Sequence, residues 1–179
     1  LCPPASWMFQ REWTERVRVS ADCHEKQLHL AAIALADGRL RDAGEAVAAA
    51  LALRVTPTAL FLRAPVERLN GDDRAAADSA LEAHRLLPGD VSLARQAFAM
   101  ALRAGMNDRV VAAYEASPAA VQADGRTAMT YAFALLRQGD TDRAEAVLMR
   151  DGGLSVTDIR EGEISLTNLY LDIARARAD

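Results

Sequence analysis

Apolar side chains recur along this chain every three or four residues, in blocks separated by short polar or glycine-containing breaks. That is the pattern of amphipathic helices rather than strands. The breaks are themselves periodic: Gly38, Gly71, Gly105 and Gly139 stand 33, 34 and 34 residues apart. Aligned on these glycines, the flanking apolar positions coincide. Seven residues before each stand Ala31, Ala64, Phe98 and Ala132; five after stand Ala43, Ala76, Val110 and Ala144; nine after stand Val47, Ala80, Tyr114 and Leu148. Each glycine therefore belongs in the turn of an antiparallel helix pair, where a residue without Cβ enters the left-handed region at no steric cost. The spacing predicts pairs at 22–36 with 40–54, 57–69 with 72–87, 91–104 with 107–116, and 126–138 with 141–150. Two helices in each period of about 34 residues make a helical-hairpin solenoid. The expected fold class is all-α: an α-solenoid of about four stacked pairs, closed by a C-terminal capping helix.

Local signals refine this outline. Asp72 and Asp140 follow two of the turns, where a carboxylate caps the next helix and complements its dipole. Pro57 suits the first turn of a helix, which has no use for its missing N–H. Pro65 falls inside a predicted helix, and Arg63 and Glu67 occupy positions where the repeat register expects apolar residues; a bend or a one-residue slip near Ala64 reconciles the three. Before the repeats, Trp7, Phe9 and Trp13 mark an amphipathic lead-in, either a helix or the second half of a partial repeat. After them Asp151-Gly152-Gly153 breaks the pattern. Ser165 then caps a last helix, about 165–178, carrying Leu166, Leu169, Tyr170 and Ile173 on one face. The organisation expected is a lead-in at 1–21, four hairpins at 22–150, and a linker with its capping helix at 151–179.

The matched offsets resemble those of the tetratricopeptide repeat. The second repeat carries Gly71-Asp72, Ala76, Ala83 and Pro88, and the fourth carries Tyr131, Ala132, Gly139-Asp140 and Ala144. The first and third are looser: Val110 stands where alanine is expected, and Ser117-Pro118 closes the third repeat early. The resemblance covers about residues 22–150. It implies that the first helix of each pair lines a concave groove used to hold a protein or peptide. A shorter segment, Asp158 to Glu163 followed by Ser165-Leu166 and Leu169-Tyr170, is similar to the close of certain large bacterial proteins. Those join a β-rich domain of unassigned function, resembling carbohydrate-active enzymes, to repeats of this kind. The chain opens on Leu1-Cys2-Pro3-Pro4 without an initiator methionine, so the expectation is a C-terminal module of a longer bacterial protein.

Composition narrows function more than fold. The chain has 179 residues, 51% hydrophobic and only 5% aromatic, with a net charge of −4. The acidic balance weighs against nucleic acid, which asks for a basic footprint. No apolar run approaches membrane-spanning length, and no leader-like segment opens the chain. Cys2 and Cys23 lie in different segments and are expected as reduced thiols in a cytoplasmic protein.

Little chemistry is legible. There is no phosphate-cradling glycine loop, nucleophile elbow or His-Glu-x-x-His. Cys23, His24 and His29 are the nearest approach to a metal set, but His24 and His29 are poorly placed on one helix face, so no metal and no cofactor is expected. His84 is expected exposed and without a partner. Asp72-Asp73 and Glu161 with Glu163 read as caps and solvated surface. The pattern that remains is the inner face implied by the resemblance: Glu25, Leu28, Ala32 and Leu35; Phe61, Arg68 and Leu69; Arg95, Ala99, Leu102 and Arg103; Arg126, Met129, Phe133 and Arg137. Arginines recur there beside apolar side chains. Arg95, Arg103, Arg126 and Arg137, with Phe133, form a candidate site for carboxylates of a bound peptide. The competing reading is that these arginines lay their stems along apolar surface and solvate their heads. The function expected is a non-catalytic scaffold for protein–protein interaction. The alternatives are an accessory helical domain of a carbohydrate-active enzyme and the sensor or oligomerisation arm of a transcription regulator. The sequence does not specify an oligomeric state.

Overall fold

The computed structural model describes residues 23–150, 154 and 166–178. These residues are helical, with no strand among them. The helices are α1 (His24–Ala36), α2 (Leu40–Leu53), α3 (Pro57–Leu69), α4 (Asp73–Leu86), α5 (Val91–Arg103), α6 (Asn107–Glu115), α7 (Ala119–Gln122), α8 (Gly125–Arg137), α9 (Thr141–Leu148) and α10 (Leu166–Ala178). The chain divides between Leu86 and Leu87 into two compact units.

The periodic glycines form the turns the spacing requires. Gly38, Gly71, Gly105 and Gly139 have φ of 72°, 86°, 72° and 82°. In each, the N–H of the residue after the glycine returns to a carbonyl in the last turn of the helix: Arg39 to Ala34 at 2.8 Å, Asp72 to Glu67 at 3.0 Å, Met106 to Ala101 at 2.9 Å and Asp140 to Leu135 at 3.0 Å. With a second bond from each glycine N–H to the carbonyl three residues before it, this is the Schellman closure, which satisfies carbonyls that the helix end orphans. A side chain starts the next helix after two of these turns, and others do the same before α3, α5 and α8. Asp72 Oδ1 accepts from Ala75 N at 2.8 Å, Asp140 Oδ1 from Arg143 N at 3.3 Å, and Thr56 Oγ1 from Ala59 N at 3.2 Å just before Pro57. The twelve apolar positions aligned on the glycines, Ala31 to Leu148, are all buried.

In unit 1, α1 pairs with α2 and α3 with α4, and α3 also packs on α1 and α2. Its core is built largely of alanine, with Val47 and Val66 as the larger members of the cluster between α1, α2 and α3. α3 runs through Pro65 to Leu69. The two polar residues out of register there pair with each other: Arg63 Nε donates to Glu67 Oε1 at 2.6 Å, and Ser79 Oγ donates to Glu67 Oε2 at 2.6 Å. Burial of Glu67 is thus compensated by hydrogen bonds rather than avoided.

In unit 2, α5 packs on α6, α8 packs on α5, α6 and α9, and α10 lies against α8 and α9. The early close of the third repeat is filled by α7, whose Gln122 Nε2 donates to the carbonyls of Tyr114 at 3.2 Å and Glu115 at 3.1 Å, capping α6. α10 is the expected last helix. Leu169 and Ile173 are buried and Leu166 half-buried, but Tyr170 is exposed, because the stripe in contact follows 166, 169 and 173 and leaves 170 beside it.

Two expectations are corrected. Cys23 is disulfide-bonded rather than a free thiol; separation along the chain does not decide proximity in the fold, and Cys2, the only other cysteine, lies outside the described residues. His84 is buried in α4 and engaged within the fold, not exposed and unpartnered. His24 is buried with Nδ1 donating to the Ala50 carbonyl at 3.0 Å, and its Nε2 is 3.1 Å from Thr56 Oγ1, so both ring nitrogens join α1 to the α2–α3 turn. The lead-in at 1–21, the break at 151–153, the segment 158–163 and the cap at Ser165 lie outside the described residues.

Candidate peptide-binding face

α5 and α8 are the first helices of adjacent pairs and pack directly on one another. The five residues singled out on them meet different fates, each set by its neighbours.

Arg103 and Arg137 end their helices on the same offset from a turn glycine, and both are exposed. Cationic side chains in a last helical turn complement the dipole. Arg137 Nη1 donates to the Leu102 carbonyl at 2.8 Å, an oxygen that also accepts from Gly105 N at 3.2 Å. This bond carries Arg137 across from α8 to the residue next to Arg103. Arg103 itself has no hydrogen bond or ion pair among the described residues.

Arg95 is committed inside the fold. Its Nε and Nη2 donate to Asp124 Oδ1 at 3.0 Å and Oδ2 at 2.5 Å, a two-pronged pair between α5 and the start of α8. Asp124 is also the N-cap of α8, accepting from Thr127 N at 3.1 Å. Burial alone would raise its carboxyl, but the Arg95 hydrogen bond, the Thr127 N–H and the Arg95 charge outweigh that and hold it below the ordinary aspartate range. Arg126 is half-buried and already engaged. Phe133 is buried, as is Met129 one turn before it.

The corresponding face in unit 1 is less charged. Leu28, Leu35 and Phe61 are half-buried, and Ala32, Arg68 and Leu69 are exposed. Glu25 is paired with Arg54 at 2.9 Å. The offset that carries Arg103 and Arg137 in unit 2 carries Ala36 and Leu69 here.

The densest polar cluster of unit 2 was not anticipated as a cluster. Tyr114 of α6 and Tyr131 of α8 stack at 4.2 Å between centroids and 13° between planes, and Phe98 meets Tyr114 edge-on at 6.4 Å. Tyr131 Oη donates to Glu115 Oε1 at 2.9 Å, Arg143 Nη2 donates to Tyr131 Oη at 2.6 Å and to Glu115, and Tyr114 Oη donates to the Gln122 carbonyl at 2.7 Å. Burial pushes both phenols up; for Tyr131 the Glu115 carboxylate adds to it while Arg143 opposes. The signal was present in the repeat register for Tyr114, which occupies a core offset held by Val47, Ala80 and Leu148 in the other repeats. A buried hydroxyl must find a partner, and the partners come from α6, α7 and α9 together.

Among the described residues no three His, Cys, Asp or Glu side chains are placed to hold a metal ion, and no helix is long and apolar enough to cross a membrane. No protein-family model matches the sequence, and neither does any curated protein. Among the solved structures similar to it are two crystal structures of MamA, a tetratricopeptide-like helical protein. One aligns with a TM-score of 0.60 at 18% identity, covering 76% of this chain and 75% of that one. The other aligns with a TM-score of 0.61 at 16% identity, covering 94% of this chain and 88% of that one. At such identity the likeness concerns the fold: the chain is an all-α solenoid of stacked, tetratricopeptide-like helix pairs.

Proposed function

We propose that this chain is a non-catalytic scaffold that binds a protein partner through an acidic or carboxyl-terminal peptide, held on the α5–α8 face by Arg103 and Arg137. The observation that carries the reading is the placement of two exposed guanidinium groups at the ends of packed neighbouring helices, one anchored on the Leu102 carbonyl and the other unpaired among the described residues. A carboxylate there gains charge-assisted hydrogen bonds without first displacing a resident anion. Arg95 contributes only if Asp124 gives it up, so it is secondary; Arg126 is half-buried and Phe133 buried, and neither is offered as a direct contact.

Scaffolding within a longer bacterial protein remains the context proposed, with the enzyme-accessory and regulator roles as its rivals. A cytoplasmic location was the expectation from the sequence. The disulfide at Cys23 favours an oxidising compartment instead.

The test is binding of fluorescent peptides with acidic or amidated carboxyl termini, measured by anisotropy across a salt series. The double substitution Arg103→Glu, Arg137→Glu should weaken an acidic peptide by about 10- to 100-fold, about 1.4 kcal/mol for each tenfold, and flatten the salt dependence. Equal binding by both proteins at all salt concentrations would leave these arginines as solvated surface.

A further inference from the structure

The turn glycines share one backbone shape, but the residue before each differs: Asp37, Asn70, Ala104 and Gln138. The difference is chemical. A carbonyl carbon at the γ position of a side chain lies within reach of the next residue's backbone nitrogen, and bonding between them closes a five-membered succinimide. Glycine is the most permissive residue to follow, because no Cβ obstructs the attacking nitrogen. Of these turns only Asn70-Gly71 meets the requirement in full. Ala104 has no carbonyl to attack. Gln138 is one methylene longer and would have to close a six-membered ring. Asp37 has the right length, but its carboxylate is held by Arg39 at 3.0 Å, and an ionised carboxylate is a poor electrophile. The chain's other asparagines, Asn107 and Asn168, precede Asp108 and Leu169, whose side chains crowd the nitrogen.

Asn70 and Gly71 are exposed, and a Cβ built on Gly71 would meet nothing within 4 Å, so the ring has room. The closed turn withholds the nucleophile. Gly71 N donates its proton to the Arg68 carbonyl at 3.0 Å, and Asn70, at φ −81° and ψ 0°, is itself bonded through its N–H to the Val66 carbonyl at 3.1 Å. Attack needs the Gly71 proton removed and the nitrogen turned toward the Asn70 side chain, so the last turn of α3 must open first. Helix ends open locally far more often than the whole domain unfolds. We infer that Asn70 is a site of covalent self-modification, deamidating at a rate set by opening of the α3–α4 turn. The Gly71 nitrogen gives its proton to solvent and bonds to Asn70 Cγ. The bond from Cγ to Nδ2 breaks, and Nδ2 takes up a proton and leaves as ammonia. Water then opens the ring at either carbonyl, leaving aspartate or isoaspartate. Both products place a carboxylate at the C-terminal end of α3, where the helix dipole disfavours it, close to Asp72 and Asp73. Isoaspartate also routes the main chain through Cβ and Cγ, one bond longer. The Asp72 N–H bond to Glu67 at 3.0 Å and the Asp72 cap on Ala75 N at 2.8 Å then lose their common spacing. The change is confined to unit 1, since the glycine turns of unit 2 lack the residue for it.

The test is peptide mapping by mass spectrometry after incubation in mildly alkaline buffer at physiological temperature, with the folded chain beside the same chain unfolded in urea. The peptide holding Asn70 should gain the mass difference between an amide and an acid, split chromatographically into two products, and release ammonia. The unfolded chain should convert about 10- to 100-fold faster, because its turn is always open. Hydrogen exchange on the converted folded chain should show protection lost at the Asp72 and Ala75 amides and retained in α8 and α9. Asn70→Gln, which copies the longer side chain of Gln138 at the sister turn, should abolish the conversion with helix content by circular dichroism retained. Asn70 intact in urea, or intact in the folded chain through about 100 of the half-lives measured there, would overturn the assignment. So would equal rates in the two states, or conversion of Asn107 or Asn168 as fast as Asn70.

Discussion

Units 1 and 2 use the same turn and fill the space behind it differently. In both, a glycine at positive φ closes one helix and hands the chain back antiparallel. In unit 1 the helices then meet through alanines: Ala31 and Ala34 against Ala43, Ala46 and Ala50, and Ala59 and Ala64 against Ala76, Ala77, Ala80 and Ala83. In unit 2 four of the six aligned positions hold Phe98, Val110, Tyr114 and Leu148, the other two keeping Ala132 and Ala144, with Met129, Tyr131 and Phe133 also buried. Small residues let helices approach and need no polar partners. Large aromatic ones contribute more buried area for each residue, but two of them carry hydroxyls, and satisfying those recruits Glu115, Gln122 and Arg143. One backbone plan therefore supports an alanine-packed unit and an aromatic, networked one, and the charged candidate face belongs to the second.

The largest test removes α10, which packs on α8 and α9 of unit 2. Deleting residues 166–179 strips Leu169 and Ile173 from α8 and α9 and should destabilise unit 2 by about 3–6 kcal/mol, from about 1.5–3 for each buried side chain. Hydrogen exchange should show the loss in α8 and α9 and leave protection in α1 to α4 unchanged. Uniform loss in both units would break the division.

Phe98→Ala against Val47→Ala compares the two cores directly. Phe98 is fully buried against Tyr114, and its truncation should cost about 3–5 kcal/mol in denaturant unfolding. Val47→Ala should cost about 1.5 kcal/mol, at about 0.8 for each methyl or methylene lost. Equal costs would mean that unit 2 does not depend on its aromatic packing.

The shared turn should respond alike in both units. Gly71→Ala and Gly139→Ala each place a Cβ in the left-handed region and should lose about 1–2 kcal/mol. Space is not the obstacle, since a Cβ at either site meets nothing within 4 Å. A large difference between the two would point to tertiary contact beyond the turn.

Alkaline titration probes the network. Tyr114 and Tyr131 both ionise later in the folded chain than in the unfolded one. Their contribution to stability is therefore complete below about pH 10 and is lost as pH rises through the folded values. Tyrosinate absorbance should lag the unfolded chain, and the lag should vanish together with protection in α6 and α8 while unit 1 persists. Coincident titration of folded and unfolded chains would dissolve the network argument. The smallest effect has the opposite sign. Gly44 sits mid-helix in α2, and an added Cβ would meet Val66 Cγ1 at 3.6 Å, an ordinary contact. Gly44→Ala should stabilise unit 1 by about 0.5–1 kcal/mol; a loss would show that the alanine-packed unit has no room for even a methyl.

What the sequence determined by itself is the periodic part. Turn glycines, their capping aspartates and the twelve buried positions follow from 3.6-residue periodicity and from the steric privilege of glycine, which act over a few residues and leave their mark in local order. Helix ends came within one or two residues for the same reason, α7 excepted, because its four residues are too few to show a period. The tertiary structure decided which polar groups meet. Arg95 was expected to face a ligand, but Asp124, 29 residues away, occupies it. Arg137 found the Leu102 carbonyl 35 residues back, and Arg103, on the same offset of the repeat, was left exposed. Phe133 and His84 turned inward, and Cys23 became part of a disulfide. Those outcomes depend on distance in space between residues far apart in the chain, and hydrophobic spacing does not record such pairings.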